Sequence, residues 1–161
     1  WCDVKESWDH GNHNILKVSK IIQNINKKTK IVVITGGEPL MWDMTEITKK
    51  LKEKNLKRHL ETSGTYDISG DWDWICLSPK KRKLPRKNLY QIANELKIII
   101  YNKHDLVFAV EESKKVSSKC KLFLQPEWGK FDKINGKVVD FVKNNPRWTL
   151  SLQTHKFLGI D

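Results

Sequence analysis

The sequence predicts an α/β protein built on a largely parallel sheet, and three observations carry that expectation. Short runs rich in β-branched residues, of which Ile31-Val32-Val33-Ile34 is the clearest, recur along the chain. Stretches with apolar residues at helical spacing separate several of them. Consecutive strands must then be joined by crossovers, which are right-handed between parallel neighbours. Glycine, proline and polar residues gather just after the runs, where sheets of this kind bind their ligands.

Taken in order, residues 14–26 read as a helix with Ile15, Val18, Ile22 and Ile25 on one face. A buried strand over 31–35 follows. Asp43 is placed to cap a second helix, with Glu46 three residues on in a capping-box arrangement and Met44, Ile47 and Leu51 as its buried stripe. Strands are expected at 58–62, 74–78, 96–101, 121–125 and 149–153, and helices near 87–94, 104–116 and 132–143. The stretch 63–73 is too short and too rich in glycine for a crossover helix, so one crossover is expected as a loop. No repeat or linker interrupts this order, and 1–161 reads as one domain. The pattern alone leaves two architectures open, a trimmed barrel and an open doubly wound sheet.

A chain of 161 residues can bury roughly 70% of its unfolded surface, enough for a proper core. No apolar run approaches the roughly 20 residues of a membrane span, so a soluble protein with no membrane partner is expected. Cys2, Cys76 and Cys120 lack the spacing of a disulfide framework, which points to a reducing compartment, the cytoplasm. Cys76 and Cys120 fall within apolar strand patterns and read as small core residues. The net charge of +11, the basic run Lys80-Lys81-Arg82-Lys83 and seven tryptophans raise a rival reading, a nucleic-acid-binding module. Against it, lysines are spread through every expected helix and the basic run has no interleaved aromatic repeat. Solvated faces, no specific nucleic acid, and a field that favours an anionic small molecule are therefore expected.

The stretch from Lys30 to Pro39 is the most informative. Its strand runs into Gly36-Gly37, where the absence of Cβ atoms lets a ligand approach the backbone, and Pro39 stiffens the exit. A glycine loop after a strand often takes phosphate, but Glu38 would repel an anion there. A carboxylate beside exposed carbonyls suits a ligand ammonium instead; the plainer alternative is an ordinary strand-to-helix turn. Polar residues also end the later strands: Glu61 to Ser63, Ser78 to Lys80, Gln125 to Trp128 and Gln153 to His155. Ligands of barrels gather at such ends.

These motifs, with Trp1-Cys2-Asp3 ahead of them, also carry a resemblance. Cys2-Asp3 and a strand ending in Thr35-Gly36-Gly37-Glu38-Pro39 are similar to the radical S-adenosylmethionine (SAM) enzymes. Glu61-Thr62-Ser63-Gly64-Thr65, Ser78-Pro79-Lys80, Leu124-Gln125-Pro126 and Ser151-Leu152-Gln153-Thr154-His155-Lys156 narrow it. In that order the set resembles the 7-carboxy-7-deazaguanine synthase family of the queuosine and 7-deazapurine pathway, over nearly the whole chain.

The resemblance implies a trimmed partial (β/α) barrel of the radical SAM type. It implies a radical SAM lyase that converts 6-carboxy-5,6,7,8-tetrahydropterin to 7-carboxy-7-deazaguanine with release of ammonia. Cys2 would be one of three thiolates on a [4Fe-4S] cluster whose open iron takes SAM. Gly36, Gly37, Glu38, Ser63, Ser78, Pro79, Lys80, Gln125, Pro126, Glu127 and Trp128 would contact SAM. Lys80 would pair with its carboxylate or belong to the solvated basic run, two readings of equal weight. Thr35, Glu61, Gln153, His155 and the terminal Asp161 would face the pterin, with Glu61 and His155 in catalytic roles. A structural histidine is the even alternative for His155. An electron donor such as flavodoxin or ferredoxin and a homodimer are also implied. Two features depart from the family pattern. Val4 replaces the threonine that helps hold Mg²⁺, and valine has no oxygen for a hard cation. No strand precedes Cys2, so the chain reads as a fragment that lacks its first strand and most of the cluster loop and is inactive as it stands. A sibling activase of the radical SAM class would share Cys2 and the glycine loop but has no use for the Gln153 to Lys156 end.

Overall fold

The computed structural model describes residues 15–160. Helix α1 (Val18–Asn24) leads to strand β1 (Ile31–Ile34), and a 3-10 turn over Pro39–Met41 leads to α2 (Thr45–Glu53). Then follow β2 (Lys57–Thr62), β3 (Trp74–Leu77), α3 (Lys87–Ile92), β4 (Glu95–Ile100) and α4 (His104–Ser113). Strand β5 (Lys121–Pro126), a 3-10 turn at Trp128–Lys130, α5 (Phe131–Asn144), β6 (Trp148–Leu150) and α6 (Thr154–Leu158) complete the order. None of these helices is long and apolar enough to cross a membrane.

The strands form one sheet in the order β1-β2-β3-β4-β5-β6, and every pair is parallel. Each strand therefore lies beside its predecessor in a constant direction. Crossovers of a single hand then put all the helices on one face. Packing bears this out for α3, α4 and α5. Leu60, Leu77, Leu96, Ile98, Ile100, Leu122 and Leu124 point from the sheet into a core shared with Leu89 and Tyr90 of α3, Ala109 of α4, and Ile134 and Val138 of α5. Burying each such leucine contributes about 1.5–3 kcal/mol. Register assigns the alternate residues to the other face: Glu61 beside Cys76, Cys76 beside Glu95, Lys97 beside Phe123, and Ile99 beside Gln125. A doubly wound sheet reverses strand order and takes helices on both faces. The sheet is wound one way and left unclosed, as a trimmed barrel is.

The crossover between β2 and β3 is a loop, as the glycines require. It is tied to α2: Ser69 Oγ accepts from the Met44 N–H at 3.0 Å, and the Asp71 N–H donates to Thr48 Oγ1 at 3.1 Å. At the start of β2 the buried Arg58 donates to Asp73 through its backbone N–H (2.8 Å) and Nε (2.7 Å).

Several expectations are corrected. Helix α1 starts at Val18 because Lys17 is extended (φ −63°, ψ 140°). Ile15 is consequently off the helix and fully exposed, while Ile22 is buried. Among the described residues strand β1 stands at the edge of the sheet, where Ile31 and Val33 are 46% and 50% exposed rather than buried. Asp43 does accept at the start of α2, but from the Thr45 N–H at 2.9 Å, with Met44 as the capping position. Strand β6 ends at Leu150, before the expected 153, since Gln153 already caps α6.

Candidate active site

Because all the strands are parallel, their carboxyl ends form one rim. The loop after β1 sits there, with Gly36 at φ +82° and Gly37 at φ +47°. Both are exposed, and a Cβ added at Gly36 would meet nothing within 4 Å. At Gly36 the loop therefore borders open space. Glu38 turns the other way. Its Oε2 accepts from the backbone N–H of Ser63 at 2.7 Å and from the Ser63 hydroxyl, and its Oε1 accepts from the Thr62 hydroxyl and the Leu40 N–H (3.2 Å). The carboxylate thus fastens the glycine loop to the end of β2. Gly64 (φ +73°) completes that junction, for a Cβ there would lie 2.5 Å from Leu77 Cδ1.

Further round the rim, Ser78 follows β3 and its N–H donates to the Thr62 carbonyl at 2.8 Å. Lys80 Nζ donates to Ser78 Oγ at 3.2 Å, and buried Pro79 stands between them. Lys80 also pairs with Lys83 in an antiparallel bridge, so the basic run folds back as a small hairpin. Its charges are engaged locally: Lys81 pairs with the buried Asp105 and lies 5.5 Å from the Phe108 ring, and Lys83 lies 4.3 Å from the Tyr66 ring.

On β5, Gln125 is buried and its Oε1 accepts from Ser151 Oγ at 3.3 Å, across to the end of β6. Pro126 is buried beside it, and the Glu127 N–H donates to the Ile100 carbonyl at 2.9 Å. Trp128 belongs to an aromatic group, with ring centroids 6.0 Å from Phe131 and 5.0 Å from Phe157. Phe157 of the tail therefore packs on Trp128, whereas Leu158 and Ile160 are exposed. Gln153 is half-buried at the start of α6 and His155 is exposed on it. Thr35 is exposed just after β1. Cys2, Val4 and Asp161 lie outside the described residues.

The open face of the sheet holds a cluster that the motif reading did not anticipate. Glu61 Oε1 accepts from Lys97 Nζ at 3.0 Å, two strands away. Cys76 lies between them and donates its thiol to Glu95 Oε1 at 3.4 Å. Burial pushes the Cys76 thiol well above its ordinary range. Burial works to lower the Lys97 pKa, but Cys76, Glu61 and Glu95 outweigh it and hold the ammonium above its usual value. The available signal was a lysine inside the apolar run Leu96-Lys97-Ile98-Ile99-Ile100. Among the described residues no group of three or more His, Cys, Asp or Glu side chains is placed to hold a metal ion.

This chain is similar to 7-carboxy-7-deazaguanine synthase from Flavobacterium psychrophilum, with 56% identity over 160 residues that span 99% of this chain and 76% of that protein. The chain belongs to the 7-carboxy-7-deazaguanine synthase family. The Synechocystis member of the family is 45% identical over 161 residues, 99% of this chain and 77% of that protein. No family model matches. The fold is similar to the crystal structure of QueE from Escherichia coli, with a TM-score of 0.71 and 26% identity, covering 84% of this chain. The chain spans 62% of that solved chain. The sequence motifs and these comparisons thus name the same family.

Proposed function

We propose that the protein is a radical SAM lyase that converts 6-carboxy-5,6,7,8-tetrahydropterin to 7-carboxy-7-deazaguanine, releasing ammonia. The observation that carries this reading is the 56% identity across 99% of the chain to a protein named for that product. Supporting it, the glycine loop leaves backbone open at the rim, a surface that fits an amino-acid ammonium group. When bound beside a [4Fe-4S] cluster, SAM supplies a 5′-deoxyadenosyl radical for hydrogen abstraction.

The chain's own residues would bind, orient and exclude water. Gly36 and Gly37 offer carbonyls to the SAM ammonium, while Glu38 holds that loop in place through Ser63. Lys80, steadied by Ser78, pairs with the SAM carboxylate after Pro79. Gln125, Pro126, Glu127 and Trp128 form the wall for the nucleoside. Thr35, Glu61, Gln153 and His155 face the pterin. Glu61 accepts from the adjacent N–H donors of its edge, a charge-assisted pairing. His155 moves a proton as ammonia leaves. Cys2 serves as a cluster ligand and Asp161 closes the pocket. Mg²⁺, where used, rests on substrate and water, because Val4 offers no side-chain oxygen. An acidic electron donor such as flavodoxin or ferredoxin suits the net charge of +11. The buried free thiols Cys76 and Cys120 suit the cytoplasm, and the assembly is a homodimer.

The test is anaerobic reconstitution of the protein with its upstream residues, followed by incubation with SAM, a reductant and the carboxylated pterin. Mass spectrometry should detect 7-carboxy-7-deazaguanine and 5′-deoxyadenosine. A reconstituted cluster that cleaves SAM yet never yields the deazaguanine would overturn the reading.

A further inference from the structure

The Glu61–Lys97 pair joins β2 to β4 across the open face of the sheet, and the two residues are unequally exposed. The Lys97 side chain is 15% exposed and that of Glu61 is 39% exposed. The ammonium is therefore the inner, fixed partner and the carboxylate is the outer one. Lys97 is also held from below. Glu95 on its own strand and Cys76 on β3 share its face, while Glu95 is itself engaged by the Cys76 thiol (3.4 Å) and Trp74 Nε1 (3.3 Å). On the same face Lys121 lies over the Trp74 ring at 5.2 Å, and His59 stacks on that ring at 6.0 Å. Among the described residues only Lys97 donates to Glu61, through Oε1, and Oε2 accepts from none of them.

We propose that Lys97 is a positioning residue for Glu61: by binding Oε1 from within the sheet, it presents Oε2 to the N–H edge of the bound pterin. This rests on the reading above in which Glu61 contacts the pterin. A flexible carboxylate at a strand end would pay rotamer entropy on each binding event. A carboxylate already fixed by a buried ammonium does not, and pre-organisation of this kind appears chiefly as affinity. Lys97 touches no substrate atom in this arrangement and acts through Glu61 alone.

The test measures pterin dissociation constants and steady-state kinetics with the cluster-loaded enzyme and SAM. The proteins are the parent, Lys97→Met, Lys97→Arg, Glu61→Gln and the Lys97→Met/Glu61→Gln double variant. Lys97→Met should weaken pterin binding roughly tenfold, as expected for loss of one charge-assisted contact. KM should rise more than kcat falls, and Lys97→Arg should recover most of the loss. In the Glu61→Gln background, Lys97→Met should add nothing further, because the two act as a unit. SAM affinity and thermal midpoint report folding; if Lys97→Met does not fold, Lys97→Gln serves the same comparison. Pterin binding unchanged in Lys97→Met but weakened in Glu61→Gln overturns the proposal and leaves the pterin role of Glu61 standing. Additive losses also overturn it, since Lys97 would then act independently. Binding unchanged in Glu61→Gln would instead sink the reading on which the proposal rests.

Discussion

Ser63 gives both its backbone N–H, at 2.7 Å, and its hydroxyl to the same carboxylate oxygen of Glu38. This double link makes the glycine loop after β1 and the end of β2 one unit. The acidic residue of the Gly-Gly-Glu-Pro stretch is thus spent on holding the loop, and the loop's backbone is what faces outward.

Replacing Glu38 with glutamine should show this. An amide NH₂ cannot accept, so one side of the junction loses its acceptor, at a cost of about 1–3 kcal/mol. The thermal midpoint should fall, and SAM should bind more weakly through the loosened loop. A Glu38→Gln protein with an unchanged midpoint would mean that the junction is held by something else.

Two glycines at the rim should answer differently to alanine. Gly64 has φ +73°, and a Cβ there would press on Leu77 and Pro85 at 2.5 and 2.9 Å. Backbone strain and overpacking together should cost roughly 2–4 kcal/mol. Gly36 has φ +82° but open space around it, so Gly36→Ala should cost only about 1–2 kcal/mol. Its methyl group would project into the region offered to SAM. Calorimetric SAM titration of both variants checks the contrast: the binding loss should be the larger in Gly36→Ala and the stability loss the larger in Gly64→Ala.

Alkali should destabilise the fold before the surface charges account for it. Burial raises the Tyr90 hydroxyl above its ordinary 10.0, and Glu112, which accepts its proton, raises it further. Burial likewise raises the Cys76 thiol above its ordinary 9.0. Groups whose folded pKa is raised keep their protons while the unfolded chain loses them. Stability is therefore intact below about pH 9 and declines above it. Denaturant melts from pH 7 to 11 should show that decline, and Tyr90→Phe should flatten its upper part. The same variant should cost about 1–3 kcal/mol at neutral pH, because among the described residues the buried Glu112 then keeps only Lys115, at 2.6 Å, as a side-chain donor. A decline of equal slope in Tyr90→Phe would assign it to other groups.

Much of the molecule was legible in local pattern. The strands of β2, β3, β4 and β5 lie within a residue or two of their expected bounds, because alternation and β-branching are properties of neighbours in the chain. The loop in place of a crossover helix followed from Gly64 and Gly70, each at positive φ. The rim motifs needed only the rule that strand ends in a parallel sheet share one edge.

By itself, then, the sequence determined which segments become strands, where polar residues follow them, and which family the ordered motifs resemble. It did so because those signals are written over a few adjacent positions. Tertiary structure alone decided the direction of winding, since hand and strand order are relations among whole segments. It decided that Arg58 near the start of β2 is buried, for its partner Asp73 comes from the far side of a loop. It also decided that Lys97 meets Glu61 across Cys76. Those two residues stand 36 apart in the chain, and only the registers of three strands bring them within 3.0 Å.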